Sequence, residues 1–311
     1  MYDRITLKAT IDPADIDTVV LRHYLEQCTT GDEVYYRSTE YANLSGLWIE
    51  VRGTQLTCKC SVCKQWARKL DGRLDNWKPI TWAMAARTLG ELCLSLCVRP
   101  DRAWATYYEV GLTMKMSRPP TDYIHLVDEA AGRILWNDAN YPVDRQKTSE
   151  KSKYIRKVLK MYDKTYEAGS KHRPGVVAGV LRIETVYRHQ KTPLDQLTSP
   201  AFMSRLGAQF RDDWLSLRFE REIIPAPGVK MSELDKAREL FRLGVPRYLD
   251  KYRALYKEGK LTRKQWETMR TYAARWPQEV KRYTDRAGPE ETEFKNFLRK
   301  ADSTGIFTPS A

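Results

Sequence analysis

The chain has 311 residues, 42% hydrophobic and 30% charged, with 53 Lys+Arg against 40 Asp+Glu and a formal net charge of +13. That composition excludes a disordered polymer, and the sequence holds no apolar run of about 18 residues that would span a bilayer as a helix. The length suits one large domain or two modest ones. The opening MYDRITLKAT carries Asp3 and Arg4 and has no apolar core, so no secretory leader and a cytoplasmic location are expected. A basic chain with 9 Trp and 18 Tyr suits a polyanion that also offers flat bases for stacking. Nucleic acid is therefore the expected partner, with no membrane and no small-molecule cofactor.

In chain order, YDRITLKA alternates as a first strand. Ile11 to Gln27 reads as a helix opened by Asp12-Pro13. LWIEVRG and TQLTCKCSV form a hairpin about Gly53, and Pro79 to Cys97 is a strongly apolar helix. Residues 104–116 (WATYYEVGLTMKM) read as a long strand, followed by a helical piece near 119–132, a short strand GRILWN and a polar loop from Asp138 to Ser152. Two more strands, KYIRKVLKMYDK and GVVAGVLRIETVYRH, flank a loop around His172-Arg173-Pro174-Gly175. From Leu194 the pattern turns helical, and the tail after Lys300 is polar. The predicted fold is α+β, an antiparallel sheet backed by helices over residues 1–195, then a mostly helical region over 196–311.

Side chains alternate between the faces of a strand, so three strands supply a geometry. Tyr107, Glu109 and Lys115 share one face of the 104–116 strand. Lys160, Tyr162 and Lys164 share a face opposite Leu159 and Met161, and Arg182, Glu184 and Arg188 share a face opposite Leu181 and Ile183. A face bearing carboxylates, cations and a tyrosine suits phosphate chemistry, although alternating charge also describes an ordinary solvated face. Glu109 and Glu184 offer hard oxygen ligands for Mg²⁺ or Mn²⁺, which polarise a phosphate. A tyrosine phenol is the nucleophile that conserves bond energy for rejoining, with Lys164 placed to assist it and Arg182 or Arg188 to clamp phosphate.

The opening MYDRITL, the MYDKTYE segment and the VLRIETVYR strand resemble the replication initiators of filamentous phages and, more distantly, the transfer-type initiators of rolling-circle plasmids. The likeness runs over roughly residues 1–240 as an order of elements. It implies a metal-dependent enzyme that nicks one strand of origin DNA, stays on the 5′ phosphate through tyrosine and rejoins the strand, with a host helicase and polymerase as partners. On the matching positions it implies Glu109 as the acidic strand residue, Tyr162, Lys164 and Glu167 as the tyrosine-lysine-glutamate element, and Arg182 with Glu184 as the arginine-x-glutamate strand. With the strand-face chemistry, the expected metal ligands are Glu109 and Glu184 together with Glu167, and the expected DNA contacts on these strands are Lys115, Lys160, Arg182 and Arg188. One departure stands out. The histidines are His23, His125, His172 and His189, with no His-hydrophobic-His pair, so the metal rests on carboxylates. Tyr162, Tyr166 and Tyr187 all fall near the expected site; Tyr162 is the first choice as nucleophile and Tyr187 the second.

Three further readings stay open. Cys58, Cys60 and Cys63 have the spacing of a zinc half-site, or are structural thiols without a completing pair. In the helical region, Ser232 and Thr262 read as N-caps, and Arg263, Lys264 and Arg270 lie on a basic helix that reads DNA or packs on its neighbours. The rival function is a non-catalytic single-strand DNA or RNA binder with Tyr107, Trp48 and Trp136 as stacking platforms. Carboxylates discriminate the two, because a pure binder gains nothing from Glu109 and Glu184 on a phosphate-facing surface.

Overall fold

A computed structural model describes residues 2–39, 46–72, 80–130, 133–134, 136–137, 145–147, 157–170 and 178–303. The order is β1 (Tyr2–Thr10), α1 (Ile16–Arg22), β2 (Leu25–Thr30), β3 (Glu33–Ser38), β4 (Leu47–Arg52), β5 (Gln55–Ser61), α2 (Val62–Asp71), α3 (Trp82–Ser95) and β6 (Ala103–Lys115). Then come α4 (Pro120–Leu126), β7 (Val127–Ala130), β8 (Arg133–Ile134), β9 (Trp136–Asn137), β10 (Arg145–Lys147), β11 (Lys157–Asp163), α5 (Lys164–Ser170), β12 (Val180–Tyr187) and β13 (Thr192–Pro193). The remainder is α6 (Leu194–Leu197), α7 (Pro200–Leu215), β14 (Arg218–Phe219), β15 (Glu222–Pro225), α8 (Met231–Lys257), α9 (Arg263–Glu279), β16 (Tyr283–Arg286) and α10 (Pro289–Ser303). The loop around His172 and the end of the tail lie outside the described residues.

The main sheet runs β2-β3-β4-β5-β1-β6-β12-β11-β10-β9, with β13 also on β6. Its described pairings are antiparallel. The fold is thus an antiparallel sheet backed by helices and followed by a helical C-terminal part. Strict alternation explains the layering. In β4 and β5, Leu47, Ile49, Val51, Leu56, Cys58 and Cys60 are buried while their neighbours are not.

The buried face is held by aromatic contacts. Trp82 of α3 meets Tyr2 edge-on at 5.0 Å, Tyr2 meets Tyr108 at 6.0 Å, and Tyr108 stacks on Tyr187 at 4.9 Å. The Tyr2 hydroxyl donates to the Leu197 carbonyl at 2.8 Å, and Trp214 of α7 donates to Thr185 at 3.1 Å. Helices α3, α6 and α7 are therefore tied to one face. Thr81 caps α3 by accepting from the Met84 amide.

Several elements differ from expectation. The predicted Ile11–Gln27 helix ends at Arg22, because Tyr24 takes a positive φ of 51° and Leu25 onward pairs with β3. The run read as strand through Val62 instead turns into α2, capped by Ser61. The piece near 119–132 is helical only to Leu126 before β7 begins, and Arg145–Lys147 within the predicted polar loop form β10. Ser232 lies inside α8, whose N-cap is Lys230, whereas Thr262 caps α9 in a reciprocal pair with Gln265.

The chain divides into two compact units, residues 1–218 with 293–311, and residues 219–292. The second unit packs Leu234, Ala237, Leu240 and Tyr248 of α8 against Ala273 and Trp276 of α9, with Ile223 and Tyr283 from the short β15–β16 ladder. That ladder is absent from the helical sequence reading. Helix α8 kinks where Gly244 takes φ 71° two residues before Pro246, which supplies no amide to the helix ladder.

Trp82 is fully buried and its indole N–H finds no hydrogen-bond partner. Trp82→Ala should lower unfolding stability by about 3–5 kcal/mol in urea titrations. Trp82→Phe should lose far less, because no hydrogen bond is broken.

Candidate active site: a buried acidic cluster on the sheet

The face of β6, β11 and β12 opposite the aromatic layer carries the charged residues. On β12 both faces are buried, so Arg182 and Glu184 are interior groups. The solvated-face reading therefore does not apply to that strand. Buried charges require partners. The Arg182 guanidinium donates to Asp3, to Glu184 Oε1 at 2.7 Å and to Thr113 Oγ1 at 3.0 Å.

Asp3 reaches this face through a β-bulge. Tyr2 pairs with Val110 and Ile5 with Tyr108, so Asp3 and Arg4 together oppose the single residue Glu109. Ser61 on the neighbouring strand donates to Asp3 at 2.5 Å. Asp3, Glu109 and Glu184 are all buried, and one oxygen of each lies within 4.8 Å of the other two. Among the described residues this is the only group of three or more potential ligands so arranged. Sequence reasoning missed Asp3; the one visible sign was the adjacent charged pair Asp3-Arg4 inside an otherwise alternating strand.

Two tyrosines touch the cluster. Tyr162 donates to Glu184 Oε1 at 2.8 Å, and Tyr107 donates to Glu109. Lys160 lies 3.4 Å from Glu109 and 4.0 Å from Glu184. Burial holds the Glu109 carboxyl above its ordinary range, and the Glu184 charge adds to it. Burial opposes the charge on Asp3 as well, yet Arg182, Ser61 and Lys164 hold its carboxyl below the usual range. The Tyr162 phenol is held well above its ordinary value by burial and then by Glu184.

The other expected residues are placed as follows. Lys164 and Glu167, at the start of α5, pair with each other at 2.7 Å. Lys164 sits 5.8 Å from the Tyr162 ring centroid, while Glu167 is not among the three clustered carboxylates. Burial and then Arg182 depress the Lys164 ammonium. Tyr187 lies on the opposite face, buried against Tyr108, with its hydroxyl unpartnered. Tyr166 is exposed on α5. Arg188 is exposed beyond the end of β12, and Lys115 donates to the Ala178 carbonyl at the end of β6. Arg263, Lys264 and Arg270 are exposed on α9 in the second unit. The hydrogen bond with Cys60 and then burial push the Cys58 thiol up, and burial pushes Cys63 to about 12 and Cys93 to about 11. These cysteines form no ligand group among the described residues.

No family model matches the chain, and no curated protein does. Among solved structures it is similar to a rolling circle replication initiator protein from Geobacillus stearothermophilus. The two share 10% identity at a TM-score of 0.39, over 75% of this chain and 89% of that one.

Two outcomes test the site. A Cβ on Gly111 would stand 3.0 Å from Arg182 Nη2 and 3.2 Å from Glu184 Cγ, both of them pinned by ion pairs. Gly111→Ala should therefore cost about 1–3 kcal/mol in urea titrations. Glu109→Gln should act in the reverse sense in metal-free buffer. Because the folded-state pKa of Glu109 is raised, its charge removes stability as pH rises above the carboxylate range. The variant should thus melt higher than wild type near neutral pH, and the gain should vanish in acid. Equal melting at both pH values would refute the strained-carboxylate assignment.

Proposed function

We propose that the chain is a metal-dependent DNA nicking and joining enzyme that initiates rolling-circle replication. The observation that carries this reading is the buried Asp3–Glu109–Glu184 cluster with the Tyr162 phenol hydrogen-bonded to one of its members. The likeness of MYDKTYE and VLRIETVYR to such initiators points the same way, because both segments converge on the cluster.

The donor set fits a hard divalent cation. It consists of carboxylate oxygens alone, and Glu109 carries a charge that burial leaves incompletely compensated. Asp3, Glu109 and Glu184 would hold Mg²⁺ or Mn²⁺, which supplies Lewis-acid stabilisation of a scissile phosphate. The chain's own groups do the rest. Glu184 accepts the hydrogen bond from Tyr162 and is the nearest base for its proton. Arg182 fixes Glu184 in place through its Nε. Arg4, exposed beside Glu109, and Lys160 offer positive charge to phosphoryl oxygens. Attack of the phenolic oxygen on phosphorus forms a tyrosyl 5′-phosphodiester and breaks the bond to the 3′ oxygen, which leaves as a hydroxyl. Rejoining is the reverse transfer, with no net loss of phosphodiester bonds. The substrate would be origin DNA, with host helicase and polymerase acting downstream.

Labelled origin DNA incubated with the protein and Mn²⁺ should give a covalent adduct on a denaturing gel, and none in chelator. Tyr162→Phe should abolish the adduct while binding stays within a few-fold. An adduct that persists in that variant would move the nucleophile to Tyr107 or Tyr166, and mass spectrometry would name it. Glu184→Ala should lose cleavage and metal dependence together. Tight binding of a known origin with no cleavage under any metal would favour the pure binder.

A further inference from the structure

The face of β1, β4, β5 and β6 opposite their buried side continues outward from the acidic cluster, and two rows of paired residues cross it. In one row Trp48 pairs with Lys59, Lys59 with Thr6, and Thr6 with Tyr107. In the next, Glu50 pairs with Thr57, Thr57 with Lys8, and Lys8 with Trp104. Four strands at roughly 4.8 Å apiece make each row about 14 Å long. The reverse side of the same strands is buried, whereas Lys8 and Lys59 are exposed and Trp48, Trp104 and Tyr107 are half-buried.

Each tryptophan carries a lysine. The Lys59 ammonium stands 4.0 Å from the Trp48 ring centroid, and Lys191 stands 5.8 Å from that of Trp104. Among the described residues no carboxylate lies within ion-pair distance of Lys8, Lys59 or Lys191, while Glu50 on this stretch is bound to Arg52 at 3.0 Å. The open face therefore presents net positive charge and flat rings together. A lysine over an exposed ring is a weak contact, so a base can take the ring while the ammonium meets the adjoining phosphate. Tyr107 ends its row and donates to Glu109, which joins this face to the cluster without a break.

We infer that this face is a track for an unpaired DNA strand, with Trp48 and Trp104 as stacking platforms and Lys8, Lys59 and Lys191 as phosphate contacts. It holds the stretch of substrate next to the scissile phosphate, and so rests on the nicking reading while requiring no metal. Unpaired bases are needed because a duplex hides the faces that the rings would meet.

The test is fluorescence anisotropy of labelled oligo(dT) of about 20 nucleotides in chelator, with oligo(rU) and a hairpin duplex as companions. Wild type should bind oligo(dT) more tightly than the duplex and at least as tightly as oligo(rU). Trp48→Ala and Trp104→Ala should each weaken oligo(dT) binding by about tenfold, while the phenylalanine variants retain most of it. Replacing Lys8, Lys59 and Lys191 by Gln should lower the slope of log affinity against log salt by about 2. Unchanged affinity in a folded Trp48→Ala/Trp104→Ala protein, or preference for the duplex, would overturn the track. Markedly tighter oligo(rU) binding would overturn the assignment to DNA. Because these measurements need neither metal nor cleavage, their failure is separate from failure of the nicking reaction.

Discussion

Arg182 is the group on which the site depends. Its guanidinium is buried within the sheet and donates to Asp3 from β1, to Glu184 on its own strand and to Thr113 from β6. Removing a buried guanidinium from water is costly, and only several simultaneous hydrogen bonds offset it. Those bonds fix the spacing of three strands on the functional face. They also hold two carboxylates close together, which mutual repulsion would otherwise drive apart. Gly111 belongs to the same constraint, since its missing side chain is the space that Arg182 and Glu184 occupy.

The arrangement is poor for stability taken alone. Three buried carboxylates share one small volume, and the nearby cations are divided among them. A structural ion pair would need one acid for Arg182. A second acid with a raised affinity for protons, beside a third that receives a phenol, is a feature expected of a site that awaits positive charge. That asymmetry, rather than the presence of charge as such, separates this face from a solvated one.

Much of this geometry was legible in the sequence, for a definite reason. Strands β6, β11 and β12 alternate without interruption through their central residues, so Glu109, Tyr162, Arg182 and Glu184 fall on one face by counting in twos. Asp3 was not legible, because the bulge opposite Glu109 breaks that period and turns two consecutive residues toward the same side. The β2–β3 hairpin was hidden by a residue conformation: Tyr24 adopts a left-handed φ that a helical pattern through Gln27 gives no sign of. Helix α2 was hidden by continuity, since the apolar positions of β5 run directly into Val62 and Cys63, and only the Ser61 cap marks the change.

The residues behind the two functional readings opposed at the level of sequence occupy adjoining parts of one surface. Carboxylates would repel a polynucleotide if spread along the path it follows. Here they are gathered at one end, buried and partly neutralised by Arg182 and Lys160, while the rings and their lysines lie on the strands beyond. Coulomb repulsion between Glu109 and a phosphate falls with distance along the face and is further reduced by the ion-paired Lys160 beside it. Lys8 lies on the same strand as Arg4 but opposite Trp104, five positions along β6 from Glu109, and Lys59 lies one strand farther out on β5, so both can attract the backbone with less cancellation by the acids than Arg4. Under the proposed function, affinity and chemistry would be divided between the two ends of a single sheet face, and a strand drawn onto the basic end would be delivered to the acidic one.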